Sequence, residues 1–489
     1  MTANGATLMH SVPPQQGLLL GTLAAHAGLP RKPLLGTQTA EVSTPPALPN
    51  NAHVTPLFQT SVFDFDSISS GLEQVVGQGA YGYGRMGLPN AHELGAAVAA
   101  LEGAEAGVAT SSGMGAISAA ILSTVSAGDL VIAQQDAYGG TTEFFRRDLP
   151  RYGVTVRFED TNDLGHLEKL FFGPDSDSAP RAPTTAKTEP NLYDEGQSLQ
   201  NGSEKGLRAS TEVETCSCRC TCRDSQSGAS TSEDSGLGGL MSGARGRARK
   251  VVIFAETVSN PLLMLSDVRA LAKLAKRAGA LLIVDNTFRT PLRSQPLAEG
   301  ADLVIHSATK FLGGHHDLLA GAVVGSAMLV DPIRDFVKRM GLWAAPLDAW
   351  LAVRGIRTLQ VRVEKAWANA ATLGRQLEGD PRVTAVAWHE KVALVTFAVV
   401  GGFRGADAAV AAFRLITLST TLGGVTTTVS HPASSSHASL SVAQRGELGI
   451  SDGHLRLSVG IEESEDLWAD LDRGLSAAAA VNRDRRAVI

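Results

Sequence analysis

"KVVIFAETVSNPLLMLSDVRALAKLAKRAGALLIVDN", Lys250 to Asn286, reads as strand, helix, strand. "KVVIFAET" and "ALLIVDN" are apolar runs of strand length, and "SDVRALAKLAKRAG" between them predicts a helix with Ser266 as N-cap and Gly279 as C-cap. A strand, a crossing helix and a second strand make a parallel pair. "ADLVIHS", Ala301 to Ser307, adds another strand. Upstream, "AHELGAAVAALEGAE" is helical with a stop at Gly103, "AGVATSS" is a short strand, and "GMGAISAAILSTV" resumes a helix. Ligands of parallel sheets collect beyond the carboxyl ends of the strands. Glu256, Asp285 and Ser307 to Lys310 fall there, so these strand ends are expected to converge on one pocket.

The chain has 489 residues, enough for more than one domain and a large core. Its 44% hydrophobic and 19% charged content suits a globular enzyme, and a net charge of −6 argues against nucleic-acid binding through a basic surface. No apolar run reaches the roughly 20 residues that cross a bilayer, and "GLLLGTLAAHAGL" is too short and too glycine-rich. The first forty residues hold no acid and only Arg31 and Lys32 as full cations. They read as a disordered leader, with organelle targeting as the alternative. All four cysteines lie in "CSCRCTC", Cys216 to Cys222, which fits a reduced, cytoplasmic compartment and leaves no disulfide framework.

From Gly173 to Arg249 the chain is rich in Ser, Thr, Gly, Pro and charge. Such a segment buries too little to offset its ordering entropy and is expected to be a disordered insertion. Its Cys-x-Cys spacing lacks the C-x₂-C pairs of a structural zinc site. His315, His316 and Asp317 are adjacent on one segment and read as a polar turn, so no metal is expected.

In "SSGMGAIS", Ser111 to Ser118, a glycine-containing turn between strand and helix points backbone N–H groups at an anion. It is also a partial dinucleotide fingerprint, with Ser118 in place of the third glycine, which keeps an NAD-dependent dehydrogenase as a distant alternative. That alternative leaves the lysine of "HSATKFLGGHHD" and the aspartate of "VDNTF" without a role. An anion cradle, a strand-end carboxylate and a strand-end amine together are what pyridoxal 5'-phosphate requires. The aldehyde needs an amine for a Schiff base, the ring nitrogen a carboxylate, and the phosphate clustered donors. Taken singly, each residue has an ordinary explanation as a surface charge, a cap or a core aromatic.

On these residues the chain resembles the Cys/Met metabolism (trans-sulfuration) family of PLP-dependent enzymes: cystathionine γ-synthase, cystathionine β- and γ-lyases and methionine γ-lyase. The similarity covers roughly Thr55 to Leu475 apart from the insertion. It implies an α/β fold, the PLP-dependent transferase fold of type I (aspartate aminotransferase-like), with a mostly parallel sheet in a large domain and a smaller α+β C-terminal domain. The implied boundaries are a leader at 1–52, the large domain at 53–172 and 250–338, the insertion at 173–249, and the small domain at 339–489.

Carried across, Lys310 matches the Schiff-base lysine and Asp285 the carboxylate paired with the ring nitrogen. Tyr138 of "DAYGGT" resembles the tyrosine that stacks on the cofactor and helps move protons. Gly113 and Met114 through backbone N–H, with Ser307 and Thr309 through hydroxyls, resemble the phosphate cradle. Tyr83 and Arg85 of "YGYGRMGLPN" match residues that reach the phosphate from a neighbouring subunit, implying a homotetramer built as a dimer of dimers. Asn260 and Arg456 resemble the residues that position the substrate carboxylate, with Glu256 and Thr421 beside them.

The family pattern is not followed everywhere. "TTLGG" stands for "SLGG", so Thr421 replaces a serine and Thr420 the acid found in typical γ-lyases. Gly140 stands where methionine γ-lyases carry cysteine, and "AWHEKVALVTFAVV" lacks a stretch found in relatives, implying a trimmed small domain. The resemblance implies a carbon–sulfur lyase acting on the small amino acid L-cystathionine, by γ- or β-elimination. Cystathionine γ-synthase, which joins an O-acylated homoserine to cysteine, is the alternative. Neither a nucleic acid nor a membrane is an expected partner.

Overall fold

The computed structural model describes residues 20–27, 53–65, 67–69, 81–172, 249–438 and 440–487. The expected insertion, with its cysteines, lies outside these residues except for Arg249. Among the described residues no helix is long and apolar enough to cross a membrane.

A seven-stranded sheet in the order β1-β7-β6-β5-β4-β2-β3 forms the centre. Its strands are β1 (Ala106–Thr110), β2 (Leu130–Gln134), β3 (Thr155–Glu159), β4 (Val251–Glu256), β5 (Leu281–Asp285), β6 (Leu303–His306) and β7 (Gly321–Gly325). β7 alone runs against its neighbours, while β2 to β6 are mutually parallel. Strands covered on both faces carry continuous apolar runs. Val252, Ile253, Phe254, Leu282, Ile283, Val284, Leu303, Val304 and Ile305 are accordingly fully buried. Truncating one such side chain, Phe254, to alanine would cost about 3–5 kcal/mol through lost transfer energy and a residual cavity.

The helices obey their local signals, with two corrections. Helix α1 (Leu20–Ala25) lies within the expected leader, and its Ala24 is buried, so residues 20–27 are not a structureless tail. Helix α2 (Pro89–Glu102) ends at Gly103 and α6 (Val268–Ala278) at Gly279, both glycines in the left-handed region that favours this residue. Helix α3 (Gly113–Thr124) is capped by Ser112, whose hydroxyl accepts from the Gly115 N–H at 3.0 Å. The N-cap of α6 is Asp267, not Ser266: the Asp267 carboxylate accepts from the Ala270 N–H. The Ser266 hydroxyl instead donates to the Glu256 carbonyl at 2.7 Å, tying the helix start to the end of β4. Helices α4 (Gly139–Glu143) and α5 (Leu164–Phe172) complete this stretch of chain.

After α7 (Ala327–Met340) and α8 (Pro346–Ile356) comes α9 (Leu359–Glu378). Leu359, Val363 and Ala366 join the core around the large sheet, and Ala370, Leu373 and Leu377 join a second core. The second core lines a five-stranded sheet in the order β10-β11-β12-β9-β8. Its strands are β8 (Val383–Trp388), β9 (Leu394–Val399), β10 (Thr417–Leu418), β11 (Thr428–Ser430) and β12 (His454–Ser458). Helices α10 (Gly402–Ala412) and α11 (Ser464–Ala487) cover it. This is the expected α/β architecture: a large, mostly parallel sheet followed by a smaller, mostly antiparallel one.

Candidate active site

The ends of β4, β5 and β6 converge as expected. Glu256 and Asp285 are directly paired across the ladder, Asp285 pairs with Ile305, and Lys310 follows β6 on a turn in which its N–H donates to the Ser307 carbonyl at 3.1 Å. Asp285 accepts from the Thr287 N–H at 2.8 Å. Burial raises its carboxyl pKa, against the opposing pull of Thr287 and, from further off, His306. Glu256 is pushed well above the ordinary carboxyl range, by burial first and then by the charge of Asp285. It accepts from the Tyr138 N–H at 2.7 Å and so fixes the chain just before α4.

Lys310 Nζ donates to Thr421 Oγ1 at 3.2 Å. Burial and, secondly, the charge of Arg456 lower its pKa from 10.5 to about 8. The loop carrying Thr421 comes from beside the smaller sheet and passes close over the lysine. Gly423 has φ +82°, and a Cβ there would stand 2.6 Å from the Phe311 nitrogen, so only glycine permits this approach. On the far side of the turn Arg362 donates Nη1 to the Phe311 carbonyl at 3.0 Å, and Nη2 to the carbonyls of Leu312 at 3.3 Å and Gly355 at 2.8 Å. Burial pulls this guanidinium down to about 10.

Arg456, on β12, is buried, and its Nη1 donates to Asn260 Oδ1 at 2.5 Å. Burial lowers its pKa to about 10, and the Tyr138 phenol acts the other way. Its Nε has no acceptor among the described residues. A buried cation whose recorded acceptor is a neutral amide suits an incoming carboxylate.

The N-terminus of α3 faces the end of β6. A Cβ on Gly113 would meet Ser307 Cβ at 2.7 Å, so glycine lets the helix start pack against this residue. The first-turn N–H groups of Gly113 and Met114 have no intrahelical acceptor, as at any helix start. A cavity of about 700 Å³ opens beside the first turn of α3, lined by Ser112, Met114, Gly115, Gly140, Arg147 and Arg151 among others, but not by Ser307, Asp285 or Lys310. Tyr138 is about half exposed, and a Cβ on Gly140 would come within 2.7 Å of its ring.

Three expected residues stand differently from the rest. The Thr309 hydroxyl is engaged with the backbone of Ala320, donating at 3.2 Å and accepting at 3.1 Å. Tyr83 and Arg85 lie on an exposed turn, where Arg85 Nη1 donates to the Lys338 carbonyl at 2.9 Å and its guanidinium sits 5.7 Å from the Tyr83 ring centre. Sequence reasoning missed Arg362 and a buried trio of Glu102, Asn286 and His306 behind the strand ends. One signal was available: Glu102 is an acid in the last turn of a helix, where the helix dipole disfavours it.

An amine with a lowered pKa, a partly buried carboxylate on the neighbouring strand at the same end of the sheet and a helix start beside Ser307 fit pyridoxal phosphate. The comparisons agree. Residues 37–174 and 244–476 match the Cys/Met metabolism PLP-dependent enzyme family. L-Methionine γ-lyase of Fusobacterium nucleatum subsp. nucleatum is 32% identical over 477 residues, covering 93% of this chain and 98% of that protein. Cystathionine γ-lyase of Bacillus subtilis is 33% identical over 412 residues, covering 81% and 88%. The crystal structure of cystathionine γ-synthase from Xanthomonas oryzae pv. oryzae in complex with cystathionine matches with TM-score 0.72 and 30% identity, covering 95% of this chain and 100% of that one. The chain is therefore a member of the Cys/Met metabolism family of pyridoxal-phosphate-dependent enzymes.

Proposed function

We propose that this enzyme is a carbon–sulfur lyase that cleaves L-cystathionine, by γ-elimination to cysteine, 2-oxobutanoate and ammonia, with β-elimination to homocysteine, pyruvate and ammonia as the variant outcome. The observation that carries the reading is the placement of Lys310 Nζ, Thr421 and the Asn260–Arg456 pair around one end of the sheet. Pyridoxal phosphate, when bound, supplies an aldehyde for the amino group and an electron-withdrawing ring that makes the Cα–H acidic. Lys310 would hold it through Nζ until the substrate amine takes that place and frees Nζ, Asp285 would pair with its ring nitrogen, and the start of α3 with Ser307 would receive its phosphate.

Arg456, steadied by Asn260, binds the substrate carboxylate and so sets which substrate bond lies toward Lys310. Lys310 Nζ, with its pKa near 8, takes the proton from Cα. β-Elimination needs no other proton removed. γ-Elimination needs a second one from Cβ, and Lys310 and Tyr138 are the bases available for it. Gly140 supports cystathionine over methionine as substrate. The cysteine of methionine γ-lyases has no room here unless the Tyr138 ring moves, since a Cβ would already lie 2.7 Å from it.

The second reading, γ-replacement joining an O-acylated homoserine to cysteine, is supported by the likeness to a cystathionine γ-synthase. The exposure of Tyr83 and Arg85 supports a homotetramer in which each pair serves a partner's phosphate site. The deciding experiment feeds the loaded enzyme L-cystathionine, L-methionine, or cysteine with O-succinylhomoserine, and identifies the products. Cysteine with 2-oxobutanoate, or homocysteine with pyruvate, is expected from cystathionine. Formation of cystathionine without its breakdown would overturn the proposal in favour of the synthase.

A further inference from the structure

Glu102 closes α2 with its side chain fully buried, and one oxygen, Oε1, receives two groups. Asn286 Nδ2 donates to it at 2.8 Å and His306 Nε2 lies 2.6 Å from it. These two residues are far from Glu102 in sequence but adjacent to the site: Asn286 follows Asp285 and His306 precedes Ser307. Asn286 also accepts from Thr257 Oγ1 at 3.2 Å and donates to the Ser294 carbonyl at 2.8 Å, so the end of β4 joins the same cluster. Asp285 pairs with Ile305, and successive strand residues face opposite ways, so Asn286 and His306 point away from the face that carries Asp285.

We propose that Glu102 is a positioning residue of the cofactor site, its single oxygen clamping β5 and β6 together from behind so that Asp285 and the Ser307–Lys310 turn keep a fixed separation. A buried carboxylate is costly unless its bonds are satisfied, and Oε2 has no partner among the described residues. Simple packing does not account for an acid at this point, where leucine would fill the same space. The two bonds instead fix the ends of β5 and β6 where Asp285 and the Ser307–Lys310 turn leave them. None of the three clamp residues lies on the face that carries Asp285; the effect passes through the main chain to Asp285 and Ser307.

This inference rests on the assignment of Asp285 and Lys310 above. Three variants test it: Glu102→Gln, which keeps an oxygen to accept from Asn286; Glu102→Leu, which keeps only the bulk; and His306→Phe, which releases β6 alone. Two quantities are read on each purified protein: the rate at which pyridoxal phosphate leaves, and the visible circular dichroism per bound cofactor. Glu102→Leu and His306→Phe are expected to lose cofactor about tenfold faster with weakened dichroism, and Glu102→Gln to fall between them and the parent. If Glu102→Leu does not accumulate folded, the other two carry the same comparison. Parental retention and dichroism in the variants, even with a lowered melting temperature, would make the cluster merely structural and overturn the proposal. Borohydride labelling of the parent separates the two assignments: a label away from Lys310 defeats the site itself, whereas a label on Lys310 with unaltered variants defeats only the clamp.

Discussion

Replacing Arg456 with glutamine is expected to raise the pH at which Lys310 captures pyridoxal phosphate. Only a neutral amine attacks an aldehyde, and the Lys310 amine is brought from 10.5 to about 8 by burial and then by the Arg456 charge. At about pH 7.5 a group of pKa near 8 is neutral in roughly a quarter of molecules, against about one in a thousand for an ordinary lysine. The site therefore offers roughly 200-fold more reactive amine than solvent would. Removing the guanidinium leaves burial in place but ends the repulsion, so the midpoint should move upward from 8 without reaching 10.5. Each unit of that movement slows capture at neutral pH by about tenfold. The assay mixes apoprotein with limiting pyridoxal phosphate across a pH series and follows the visible band, with Lys310→Ala as the blank. Ionisations of the cofactor itself are common to both proteins and cancel in the comparison. A midpoint in Arg456→Gln equal to or below that of the parent would refute the reasoning, as would a parental rate flat through pH 8.

Arg362→Met removes the donors from three buried carbonyls, those of Phe311, Leu312 and Gly355. At about 1–3 kcal/mol for each orphaned acceptor, less the relief of burying no cation, urea unfolding should show a net loss of about 2–4 kcal/mol. An unchanged midpoint would contradict the assigned bonds. Asp470 accepts backbone N–H groups of Arg414, Leu415 and Ile416 at 2.9 Å each. Burial alone would raise its pKa, but these donors and Arg473 outweigh it and hold the carboxyl below 3.8. A depressed pKa stabilises the fold above the ordinary carboxyl range, and that contribution is lost as pH falls through the folded value. Asp470→Asn should therefore be less stable by about 1–3 kcal/mol at neutral pH and show a shallower acid-side decline in urea titrations; an unaltered slope would speak against it.

The large sheet was legible because its strands announce themselves: runs such as Val251–Glu256 and Leu281–Asp285 are apolar up to a terminal acid, and glycines 103 and 279 punctuate helices beside them. The strand-end positions of Asp285 and Lys310 follow from the same pattern. What escaped depends on distance in space rather than on local sequence. Nothing near residue 102 indicates that it will meet residues 286 and 306, nor does anything at 362 indicate the carbonyls of 311 and 312. The Ser266 error has a similar origin. Serine and aspartate both cap helices, and the choice between them was made by a tertiary bond, Ser266 to the Glu256 carbonyl. Reversal of β7 was equally hidden, since an all-apolar pentapeptide has no direction written in it.

Glu256 and Asp285 stand side by side on neighbouring strands at the floor of the site, and burial with the charge of Asp285 makes Glu256 hold its proton to higher pH than a free carboxyl. In its protonated form this acid can receive the Tyr138 N–H and still offer a hydrogen of its own, so the pair can carry a single negative charge where the residue types suggest two. Exchanging the two residues would put the longer acid on β5 and move the aspartate one strand over to β4, so the carboxylate proposed for the ring nitrogen would sit out of place.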